Sequence, residues 1–241
     1  MNRLLTFAAL AGLLVAASAA SAAEVAGECR GLQTCVPIAG PWVRIPARSG
    51  ATASALYLVT CPRNHVAGGT DALVADRSTD VSFRGATGSP VAPGITTERS
   101  VLFTGTYAGS ARARTSFRPL VGCVPASGGG GRSQTIHVPR RLAAVRPGRP
   151  VVRQVLTVPL LRGRTRIVNV TCRGGGRLLG SSHAVGFSQK AEPSAALLGS
   201  VSASHAASLG RVVARGRLAS SAPRAARAVL QVHAVCTRGG R

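Results

Sequence analysis

Two stretches of this 241-residue chain share the run Val-Thr-Cys: ALYLVTCPRNH at 55–65 and RIVNVTCRGGG at 166–176. Setting Cys61 over Cys172, an offset of 111, brings Tyr57 onto Val168, Val59 onto Val170 and Thr60 onto Thr171. Alternate residues of a strand face one side. Tyr57, Val59 and Cys61 therefore share a face, as do Val168, Val170 and Cys172. Upstream, Ile45-Pro46 resembles Val158-Pro159. Downstream, Cys123 over Cys236, an offset of 113, brings Phe117 onto Leu230 and Val121 onto Ala234, with Pro119 on Val232 as the imperfect member. Two offsets that agree within two residues describe one unit written twice with small loop changes.

The repeat orders the cysteines. All six follow residue 28, and an even count in an exported chain favours disulfides over metal ligands. Each repeat has one Cys ending an early strand and one in its last strand. The economical pairing is Cys61–Cys123 and Cys172–Cys236, leaving Cys29 and Cys35 to close CRGLQTC. Export is read from the first residues. Asn2 and Arg3 precede an apolar run from Leu4 to Ala17, and small residues at Ala20, Ala22 and Ala23 suit cleavage near Ala22 or Ala23. This is the pattern of a secretory signal peptide at 1–23, too short for a membrane span. No later run approaches the roughly 18 apolar residues of a span. The expected product is a secreted protein of the cell envelope or extracellular space.

The expected organisation is a first domain at 24–125, a linker at 126–133 and a second domain at 134–241. The linker stretch PASGGGGRS carries four successive glycines, which disfavour helix and strand alike. Both halves read as short alternating strands separated by Gly, Pro, Ser and Asn. One example is Val229, Gln231 and His233 set against Leu230, Val232 and Ala234. The alanine-rich stretch at 191–210 is read as strand because of its Ser and Gly residues and its place in the repeat. The fold class is thus all-β, two tandem β-sandwiches. A cysteine pair bridging two strands near each core resembles the immunoglobulin-like architecture. Trp42 lies upstream of the first Cys rather than between the pair, so an antibody-type domain is not implied.

Charge is lopsided. Residues 24–125 hold ten Arg against six acids, whereas 126–241 hold 18 Arg and Lys190 against Glu192 alone. GC-rich codon use accounts for Arg in place of Lys, but not for the disappearance of acids. A basic second half points to anionic polymer, an envelope polymer or polysaccharide, as partner. The candidate anion-binding residues are Arg162, Arg164, Arg166, Arg173, Arg177, Arg211, Arg215 and Arg217, with further arginines in RPGRP at 146–150. In an alternating strand Arg211, Arg215 and Arg217 share one exposed face. Nucleic acid is disfavoured, because base-stacking sites need aromatics and the basic half has only Phe187.

Catalytic chemistry finds few carriers. Asp71, Asp76 and Asp80 read as solvated turn acids. His183 stands beside Ser181 and Ser182 without a G-x-S-x-G elbow. The histidines show no metal-ligand spacing, and RGGGRLLG at 173–180 reads as a turn rather than a phosphate loop. No cofactor, metal or catalytic residue is expected. Two alternatives stand beside the non-catalytic reading. One is a hydrolase with a site between the halves, built from Asp71, Asp76 and His183. The other is a purely structural or protein-binding tandem module.

Overall fold

The structure, a computed structural model, describes residues 27–32, 34–47, 53–84, 99–109, 114–126 and 151–237. The signal segment, residues 127–133 of the linker, the strand-like run at 135–139 and the arginines of 146–150 lie outside the described residues. The described residues are mostly β-strand. The first half contributes β1 (Val36–Ala39), β2 (Trp42–Ile45), β3 (Ala53–Thr60), β4 (His65–Val74), β5 (Thr79–Arg84), β6 (Ser100–Tyr107) and β7 (Thr115–Pro125). The second contributes β8 (Val151–Leu160), β9 (Thr165–Thr171), β10 (Leu178–Phe187), β11 (Val201–Ser208), β12 (Arg211–Leu218) and β13 (Ala228–Thr237), with a helix α1 (Ala195–Gly199) before β11.

Three sheets result. One runs through both halves, with β7 flanked by β4 on one side and by β1 and β2 on the other, then continuing β2-β10-β13-β8. The others are β3-β6-β5 and β9-β12-β11, three strands each. All the strand pairings are antiparallel. The second half follows the strand order of the first, each strand six places on. Registers follow too. Val59 faces Val101 as Val170 faces Val212, and Ala55 faces Gly105 as Arg166 faces Gly216. Both halves carry a bulge beside the last cysteine: Ala67 faces Cys123 and Gly69 faces Gly122, while Leu178 faces Cys236 and Gly180 faces Val235. The β2–β8 match corrects the sequence alignment by two residues. Ile45 faces Thr115 as Leu160, not Val158, faces Ala228.

Each half is a two-layer, sandwich-like body. In the second, Val168 and Val170 of β9 and Val212 and Ala214 of β12 meet Leu230, Val232 and Ala234 of β13. In the first, Tyr57, Val59, Val101 and Phe103 meet Phe117 and Val121. Close packing explains two glycines in matching places. A Cβ on Gly105 would overlap the Phe117 ring, and one on Gly216 would come within 3.0 Å of Leu160 and 3.1 Å of Leu230. The disulfides are Cys61–Cys123, Cys172–Cys236 and Cys29–Cys35, each with Cα atoms 5.7 Å apart. Closing chain separations of 62 and 64 residues stabilises each half by about 4 kcal/mol in the chain-entropy account.

The halves are joined by strand pairing. Trp42, Val43 and Arg44 of β2 pair with Phe187, Gly186 and Val185 of β10, while Val43 to Ile45 pair with β7. Trp42 is buried in the core of the second half, and Ala184 of β10 is buried in the core of the first. Two further differences from the sequence reading have local causes. Residues 195–199 form a helix, because Ser194 caps it by accepting from the Leu197 N–H at 3.2 Å. Asp71 lies within strand β4 rather than in a turn. The strand was hidden by Gly68 and Gly69, which form the bulge. Arg173–Gly175 is a 3-10 turn in which Gly174 and Gly175 take φ of 60° and 70°. Those are left-handed values that suit glycine.

Candidate anion-binding face

Strand β12 alternates strictly. Val212, Ala214, Gly216 and Leu218 are buried, whereas Arg211, Arg215 and Arg217 are exposed. The three arginines therefore stand on the outer face of the β9-β12-β11 sheet. Residues two apart on an antiparallel strand are about 7 Å apart, so the file spans about 20 Å from Arg211 to Arg217. Polar side chains flank it. Arg217 lies between Ser202 and Thr165, Arg215 between Ser204 and Ile167, and Arg211 between Ser208 and Thr171. A shallow depression of about 200 Å³ is lined by Arg215, Arg217, Ser202, Ser204 and Thr165. A second, of about 390 Å³, continues past Arg217 to Ser200 and Ser220. Guanidinium forks pair bidentately with phosphate and carboxylate, and neighbouring hydroxyls bond to the same oxygens or to sugar hydroxyls.

The other candidate arginines are scattered. Arg162 bridges to Leu218 and donates to the Ala222 carbonyl at 3.4 Å, so it holds the 218–222 turn. Arg164 is exposed in the turn that Gly163 makes with φ of 73°. Arg166 faces Gly216, on the core-facing side of β9, and is exposed near the strand start. Arg173 and Arg177 are exposed at the opposite end, beyond Cys172, whose N–H donates to Gly210 just before Arg211. Phe187 is fully buried. The one aromatic residue of the basic half thus offers no stacking surface beside these arginines.

The seam between the halves carries chemistry that the sequence did not signal. Gln231 and His233 lie on the outer face of β13, with relative exposures of 3 % and 0 %, and Gln231 meets β3 there. The Gln231 amide serves the free edge of β3. Its Nε2 donates to the Leu58 carbonyl at 3.1 Å, and its Oε1 accepts from the Leu58 N–H at 2.6 Å. Nε2 also donates to Thr157 Oγ1 at 3.0 Å. Oε1 can only accept, so His233, 2.8 Å away, donates through Nε2. Its Nδ1 then accepts from the Arg153 guanidinium at 3.5 Å. Burial and that guanidinium lower the His233 pKa to about 4. His183 meets His205 here, with Nδ1 atoms 2.8 Å apart. They line a pocket of about 280 Å³ together with Arg44, Ser54 and Ser182. Asp71 and Asp76 are not among its lining residues. Asp71 bonds its neighbour's N–H and Asp76 that of Ser78. No family model, curated protein or solved structure matches the chain.

Proposed function

We propose that this is an exported, non-catalytic protein built from a duplicated immunoglobulin-like unit, which adheres to anionic envelope polymer or polysaccharide through the Arg211, Arg215 and Arg217 face. The arginine file, with Ser202, Ser204 and Ser208 on one side and Thr165 and Thr171 on the other, is the observation that carries this reading. The three disulfides suit an oxidising compartment. Topology supports the architecture. In each half the order β3-β6-β5, or β9-β12-β11, matches strands B, E and D of an immunoglobulin-type sandwich, and β4–β7, or β10–β13, matches C and F. The long-range disulfide then joins the ends of B and F. Strand β2, or β8, stands beside F where G stands in that fold. Cations about 14 Å (Arg211 to Arg215) and about 7 Å (Arg215 to Arg217) apart along one rigid strand favour a polymer with repeated charges over a single small anion.

The test is retention of the oxidised full-length mature protein on a heparin-like or teichoic-acid resin against a sodium chloride gradient. Three ionic contacts to a linear polyanion give a log–log salt slope of about −2 to −3. Replacing Arg211, Arg215 and Arg217 together by Gln should remove most of that slope and elute the protein much earlier. Unchanged retention would leave the arginines as codon usage.

A further inference from the structure

We propose that His183 and His205 form a two-nitrogen chelate for a divalent transition-metal ion of the copper(II) kind, at the rim of the second sandwich. His183 on β10 faces Val232, and His205 on β11 faces Ala214. Both partners are fully buried core residues. Both histidines thus occupy core-facing positions, one on each sheet, and their rings meet across the gap where the sheets open. The ring centroids are 4.9 Å apart and tilted by 58°.

The separation of the nitrogens selects the metal. Two ligands about 2.0 Å from an ion are about 2.8 Å apart in a square arrangement and about 3.3 Å apart in a tetrahedral one. The Nδ1 atoms are 2.8 Å apart, which suits tetragonal copper(II) or nickel(II) better than tetrahedral zinc. Imidazole nitrogen is a good ligand for both, and copper(II) binds the more tightly of the two at a given site.

The surroundings hold the rings ready. The His183 ring hydrogen-bonds the Ala203 backbone, the kind of outer contact that orients metal-binding imidazoles. Arg44, the cation facing the pair, is anchored by the Leu198 and Val201 carbonyls at 3.2 and 2.6 Å. Burial first, then His205, lowers the His183 pKa, and Arg44 lowers it further. Metal binding moves one proton. The Nδ1–H shared between the two rings goes to solvent, and the ring that gave it takes a proton at Nε2, so both stay neutral. No cluster of three or more His, Cys, Asp or Glu occurs among the described residues. The remaining coordination positions therefore open to the pocket, where Ser54 and Ser182 stand. The 22-residue spacing gave no metal signature in sequence; the topology supplies the pair.

The test uses the oxidised full-length mature protein and copper(II) alone at neutral pH. Binding is followed by quenching of Trp42, the single tryptophan, and by the nitrogen hyperfine pattern in electron paramagnetic resonance. We expect one equivalent bound through two imidazole nitrogens, and a raised melting temperature with copper. His205→Gln, at an exposed position, should weaken binding by about tenfold or more, and His183→Gln likewise. His65→Gln should leave it unchanged. Equal binding by the His205→Gln protein, or no saturable binding by the parent, would overturn the proposal.

Discussion

Replacing Gln231 by Met tests whether the two halves are locked by a side chain acting as a strand. Methionine keeps the length and volume but removes every hydrogen bond. Four are lost: two to Leu58, one to Thr157 and one from His233. An unsatisfied buried group costs about 1–3 kcal/mol. The Leu58 groups lie beside a groove of about 450 Å³ that Gln231, Val155 and Thr157 also line. Water can reach them there, so each falls at the low end, about 1 kcal/mol. His233 is fully buried, so its orphaned Nε2–H costs about 2 kcal/mol. The expected loss is about 4 kcal/mol.

Urea unfolding, followed by Trp42 fluorescence and far-ultraviolet circular dichroism, measures it. With m near 2–3 kcal/mol/M the midpoint should fall by roughly 1.3–2 M. Thr157→Val removes one acceptor and should cost about 1 kcal/mol. A loss below 1 kcal/mol for Gln231→Met would refute the reasoning, because water alone would then satisfy the seam.

His233 makes stability depend on acid. Its folded pKa of about 4 lies below the ordinary 6.5, so the unfolded chain takes the proton first as pH falls. The contribution is whole above pH 6.5, is lost between 6.5 and 4, and totals about 3 kcal/mol; urea midpoints at pH 7, 5.5 and 4 that do not fall would contradict this. Gly105→Ala should destabilise by about 1–3 kcal/mol through overlap with Phe117. Gly216→Ala should cost less, since Leu160 and Leu230 stand at 3.0 and 3.1 Å; thermal melts of the pair check the order. A single protease cut engineered at 127–133 should leave the halves together on size exclusion at neutral pH without denaturant, because β2 pairs with β10 and Trp42 is buried in the second core; two separated fragments would count against the joint.

Much of each half was legible because strand periodicity and cysteine spacing are local signals. The Val-Thr-Cys stretch, the alternation of β12 and β13 and the exposed arginine file all follow from a period of two. The joint was not legible. Gln231 and His233 alternate with the core line of β13 and read as a solvent face; the Leu58 backbone that Gln231 bonds lies 173 positions away. Trp42 sits in a four-residue strand, too short for any period. Its absence from the span between the cysteines spoke only against an antibody-type domain. In the fold it fills the core of the other half. His183 drew notice for its serine neighbours, yet its partner is His205, placed there by the pairing of sheets. Local patterns specify the units, and contacts between the units are read only from the fold.

The same accounting explains how a sheet that spans both halves stops. β10 takes β2 on its outer edge. The matching edge of β4, and the outer edge of β8, have no strand partner among the described residues. Unpaired edges invite further strands, and each carries a device against them. Proline sits in a ladder only with its nitrogen turned from the neighbour. Pro159, opposite Val229, therefore turns its nitrogen to the outer edge of β8. In β2 the matching residue is Arg44, which pairs with Val185. On β4, Ala72 faces Pro119, which has no N–H to give, so the Ala72 N–H points outward. The Asp71 carboxylate takes it at 2.7 Å, and the bulge at Gly68 bends the strand beside it. The edge of β10, which carries neither device, is the edge that β2 fills.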